Sequence, residues 1–114
     1  MANVYKNSIV STTDASDKLA YTVPAATVAL VKSISVYNGT GGSSNITISI
    51  TDSSASTTTI YSYVAGLSSL AKKEFLEGDE STLLVLESAD TILIKSSNGA
   101  SAIITISVLQ QDRT

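Results

Sequence analysis

The sequence predicts an all-β protein: an antiparallel β-sandwich, jelly-roll or immunoglobulin-like, of about eight or nine strands. Three observations predict it. β-Branched residues alternate with Ser and Thr at period two, as in Asn45-Ile46-Thr47-Ile48-Ser49-Ile50. Turn residues punctuate the chain at roughly the eight-to-twelve-residue spacing of sandwiches. Only one short stretch, residues 65–70, reads as a helical turn.

The elements follow in order. Strands are expected near residues 3–11, 18–23, 28–38, 44–51, 58–64, 71–76, 82–87, 91–96 and 101–110. Pro24 closes the second, because it cannot donate to a ladder. In the third, Val28, Leu30, Ile34 and Val36 are expected on one face, interrupted by Lys32, against Ser33, Ser35 and Tyr37 on the other. Ile46, Ile48 and Ile50 oppose Asn45, Thr47, Ser49 and Thr51 in the fourth, and Ile104, Ile106 and Val108 oppose Thr105 and Ser107 in the last. Asn38-Gly39-Thr40-Gly41-Gly42-Ser43 reads as a hairpin connection. Further turns are expected at Glu77-Gly78-Asp79-Glu80, Ser88-Ala89-Asp90 and Ser97-Asn98-Gly99. The 114 residues read as one domain, with residues 1–17 an N-terminal strand or an arm contacting a neighbour.

Composition narrows the function. Charged residues make up only 15%, and 34 Ser and Thr take their place. Such a surface repels its own copies weakly and suits packing against other subunits. The net charge is −3, with no basic stripe to displace counterions from a nucleic-acid backbone, so no nucleic acid is expected as a partner. No Cys is present, which excludes thiol chemistry and zinc–thiolate sites. No His is present, which removes the commonest general base. With no Trp and a single Phe, there is little on which a sugar could stack. The N-terminal residues do not read as a signal peptide and no segment reads as a membrane helix. Cytoplasmic synthesis without a leader, and no membrane partner, are expected.

Candidate chemistry is sparse. Glu77, Asp79 and Glu80 are the candidates for a calcium site, since hard cations want carboxylates at a loop. Their spacing fits no EF-hand, and solvated turns explain them as well. No Gly-x-Ser-x-Gly is present, and no His could activate a serine. No catalytic residue, metal or cofactor is assigned, and the chain is expected not to be an enzyme. Asn38-Gly39-Thr40 and Asn45-Ile46-Thr47 match the glycosylation pattern by composition alone. Tyr5, Tyr61 and Tyr63 are interface candidates, because tyrosine is enriched at protein contacts. The two-residue spacing of Tyr61 and Tyr63 expects them on one strand face.

A resemblance adds a setting. Tyr21-Thr22-Val23-Pro24-Ala25 is followed by Val31-Lys32-Ser33-Ile34-Ser35-Val36-Tyr37-Asn38 and then by Asn45-Ile46-Thr47-Ile48-Ser49-Ile50. Leu84-Val85-Leu86-Glu87-Ser88-Ala89-Asp90-Thr91-Ile92 and a final strand at residues 103–109 complete the order. This succession resembles the small β-sandwich virion proteins of tailed bacteriophages. Ala89 stands where that pattern usually has Gly before the Asp of the late turn. The resemblance implies a structural virion protein on the particle exterior. A capsid decoration, or cement, protein is expected first, bound to the major capsid protein or another virion protein and to copies of itself as a homotrimer. A tail, neck or fibre-attachment component is the alternative, and a small calcium- or ligand-binding β-module the second alternative.

Overall fold

The computed structural model describes residues 3–12, 16–39, 43–68, 70–76, 84–97 and 102–112. Nine strands form among them: β1 (Asn3–Ser11), β2 (Lys18–Thr22), β3 (Thr27–Asn38), β4 (Ser44–Asp52), β5 (Thr57–Leu67), β6 (Lys72–Leu76), β7 (Leu84–Leu86), β8 (Thr91–Ser96) and β9 (Ala102–Asp112). All pairings are antiparallel. The first sheet has the order β1-β9-β3-β6, with β7 also on β3, and the second the order β2-β8-β4-β5.

That order settles the choice between sandwich types. An immunoglobulin sheet keeps the first two strands side by side. Here β1 and β2 lie in different sheets, and so do β2 and β3, β3 and β4, β5 and β6, and β8 and β9. Only β4 and β5 are consecutive neighbours among the described strands. Two four-stranded layers wound in this alternating way are a jelly roll, with β7 as an addition beside β6.

The core lies between the layers. Ile34, Ile104 and Ile106 come from the first sheet and Ile46, Ile48, Ile92 and Ile94 from the second, and all seven are fully buried. β-Branched side chains suit the pleated surface because their restricted rotamers pack well on it. Each such side chain contributes about 1.5–3 kcal/mol through burial.

Bulges decide which residues face that core. Val31 pairs with Val108 but Ser33 with Ser107, so Lys32 is an extra residue in β3. Before it Thr27, Ala29 and Val31 are buried; after it Ile34, Val36 and Asn38 are. The alternation changes parity at Lys32. Val28 and Leu30 therefore leave the face they were expected to share with Ile34 and Val36. A second bulge lies in β5, where Ile48 pairs with Ser62 but Ser49 with Ile60. Tyr61 is the extra residue, so its two-residue spacing from Tyr63 no longer implies a shared face.

Two further expectations change. The glycine-rich stretch after Asn38 joins strands of different sheets and is not a hairpin. Residues 65–67 extend β5 instead of starting a helical turn. Gly66, at φ +69°, forms a third bulge there, and its N–H donates to Asn45 Oδ1 at 2.9 Å. Leu67 O then accepts from the fully buried Asn38 Nδ2 at 2.9 Å, and Leu70 N donates to Asn38 O at 2.6 Å. These long-range bonds occupy groups that a helix would have used.

Candidate functional site

The register converts the strands into rows of side chains on each outer face. On the first sheet, Tyr5 pairs with Leu109, Leu109 with Leu30, and Leu30 with Val85. The four form an apolar row across β1, β9, β3 and β7. Tyr5 is 76% exposed and Val85 55%, while Leu109 and Leu30 are half-buried in the middle. The adjacent row is polar: Asn7, Ser107 and Ser33 are in register, and Ser107 Oγ donates to Asn7 Oδ1 at 3.1 Å. Two rows beyond it, Ile103 pairs with Tyr37, which is also exposed.

The second sheet repeats the theme. Leu19, Leu93, Ser49 and Ile60 are register partners across β2, β8, β4 and β5. Leu19 and Ile60 are exposed at the two ends, and Ser49 is enclosed between. Beside them runs a row of four threonines, Thr22, Thr91, Thr51 and Thr58, with the Thr51 and Thr58 hydroxyls 2.9 Å apart. The outer faces are thus banded, apolar rows beside hydroxyl rows, where alternation alone expected hydroxyls throughout. Exposed apolar side chains gathered in this way mark contact surfaces more often than singly scattered ones do.

Compared with protein-family models, curated proteins and solved structures, the chain matches none. Its surfaces and clefts must therefore speak for themselves.

Tyr5 joins the apolar row, and Tyr63, 55% exposed, pairs with Thr47 on the second sheet's outer face. The two lie on different sheets and form no common patch. The side chain of Tyr61 lies outside what the structure describes, as do Glu77, Asp79 and Glu80. Among the described residues, no three His, Cys, Asp or Glu side chains gather into a metal-binding group.

Two concavities stand out among the described residues. A cleft of about 470 Å³ lies on the β4–β5 hairpin of the second sheet, lined by Ile50, Asp52, Ala55, Thr57, Thr59 and Ile60. The Asp52 carboxylate at its rim accepts from Ser54 N at 3.0 Å and Ser54 Oγ at 2.7 Å, which holds the hairpin turn. A groove of about 300 Å³ lies where three turns meet, and Asp90 and Thr27 are its buried residues. Asp90 Oδ1 accepts from Ser53 N at 2.9 Å and Ser53 Oγ at 3.1 Å, and Oδ2 accepts from Glu87 N at 2.9 Å. Burial pushes this carboxyl up, but the bonds from Ser53 and Glu87 outweigh it and hold it below its ordinary value. Ser88 clamps the neighbouring turn, accepting from Thr27 N and donating to Thr27 O. These groups are committed to tying turns together, which is scaffold chemistry.

Sequence reasoning missed Leu30, Leu109 and Val85. Leu30 was expected in the core, and only the extra residue at Lys32 turns it outward. The other two sit on strands far apart in sequence, and register alone aligns them.

Proposed function

We propose that this chain is a structural, non-enzymatic protein of a tailed-phage virion, a capsid decoration protein on the particle exterior. The observation that carries the reading is the apolar row Tyr5–Leu109–Leu30–Val85 across the outer face of a jelly roll. Viral capsid domains use this sandwich architecture, so the fold is compatible with a virion role, by analogy. The row gives an isolated subunit a reason to dock: it removes apolar surface from water against another protein. The partner is the major capsid protein, and the row is the contact.

The experiment is a binding titration of the purified chain on shells that lack it. The wild-type chain binds and raises the melting temperature of the shell. Tyr5→Lys and Val85→Lys each weaken binding by about tenfold or more, on the scale of a lost interface anchor. Both positions are exposed, so the variants keep the melting temperature of the isolated chain. A wild-type chain that does not bind the shell overturns the reading.

A further inference from the structure

The four sheet edges are not guarded alike. β1, β2, β6 and the short β7 border the sheets together with β5. β1 carries Lys6 near its centre, β2 begins at Lys18, and β6 carries Lys72, Lys73 and Glu74. β7 is only three residues long. Lysine and shortness are the usual means of stopping one edge from pairing with another. β5 has neither: its eleven residues, TTTIYSYVAGL, include no charge and no proline. They are also rich in threonine, isoleucine, tyrosine and valine, the residues that favour strands. The bulges at Tyr61 and Gly66 interrupt its second half, but residues 57–60 form a regular run with all four side chains exposed.

We infer that β5 is a self-association edge: residues 57–60 pair antiparallel with the same run of a second copy. Two four-stranded sheets then join into one of eight strands. The occupant follows from charge. In a twofold antiparallel pair, each strand meets its own sequence, so a lysine near the axis is brought close to its symmetry mate. An uncharged edge avoids that repulsion wherever the axis falls, and among the described strands of more than three residues β5 alone is uncharged. The contact is isologous and closes at two copies, in place of the trimer expected from the sequence. The inference does not depend on the virion reading.

Sedimentation of the full chain across a dilution series tests it, alongside backbone hydrogen exchange. The wild-type chain runs at twice the chain mass, and dilution releases exchange protection in β5. Thr58→Lys and Ile60→Lys, both at exposed positions, run at the single-chain mass with unchanged circular dichroism. Leu19→Lys, on the same outer row as Ile60 but at the opposite edge, stays dimeric. A wild-type monomer or trimer overturns the inference. So does a dimer that survives Thr58→Lys, one that is lost in Leu19→Lys, or protection in β5 that ignores dilution.

Discussion

Asp90 Oδ1 accepts the Ser53 N–H at 2.9 Å across 37 residues of chain, joining the turn before β8 to the turn after β4. Its other oxygen takes the Glu87 N–H, so one carboxylate fixes two turns at one end of the sandwich. Backbone bonds complete the knot, with Val23 N donating to Asp90 O and Ala89 N to Val23 O, both at 3.0 Å. Asp90→Ala strips both amides of their acceptor and lowers stability by about 2–3 kcal/mol, measured by urea unfolding. Asp90→Asn keeps an acceptor oxygen and costs less.

The same carboxylate shapes the acid limb of stability. Its folded value lies below the ordinary 3.8, so the ionised form is favoured by folding. The contribution is whole above the ordinary value and is lost as pH falls through the lower folded value. Asp90→Asn therefore shows a shallower loss of stability than wild type as pH falls from the ordinary value to the lower folded value. Parallel slopes for the two proteins would remove Asp90 from this role.

Ala89 sits at φ +70°, a left-handed conformation that a Cβ disfavours. Glycine adopts it without that strain but loses more freedom on folding. Strain exceeds the entropy term here, so Ala89→Gly raises stability by about 0.5 kcal/mol, read as a higher urea midpoint. The reverse case is Gly66 at φ +69°, where a Cβ would meet nothing within 4 Å. Gly66→Ala is nevertheless destabilising by about 1 kcal/mol, through backbone strain alone.

Core packing gives a further check. Ile34 and Ile106 are register partners and both fully buried. Ile106→Ala costs about 2–5 kcal/mol, from lost burial plus the cavity left behind. Ile9→Ala, at a 66% exposed position on β1, stays within about 0.5 kcal/mol of wild type. Thermal melts of the two variants separate inward from outward isoleucines.

Much of this fold was legible in the sequence. Ile46 and Ile48, and Ile104 and Ile106, alternate with hydroxyls in strands whose alternation runs on without an extra residue, and they are buried as their period requires. Alternation fails at Lys32 and Tyr61, where an inserted residue reverses the faces on either side. A bulge has no composition of its own, so Val28 and Leu30 read as core when register turns them out. The long-range layer was hidden for a related reason. Asn38 looks like the start of a glycine turn, yet its side chain is sealed against Leu67 from another strand. The apolar row is hidden in the same way, because its four members come from four strands that only the jelly-roll order brings together.

We propose that the banded outer face serves assembly on a phage shell. Copy number and position of the chain in the intact virion test it most directly, by quantitative mass spectrometry and particle reconstruction. The expected result is hundreds of copies, spread over the capsid with the Tyr5–Val85 row against the major capsid protein, the order of magnitude that repetition over a symmetric shell implies. A handful of copies confined to the tail, or a particle without the chain, would contradict it.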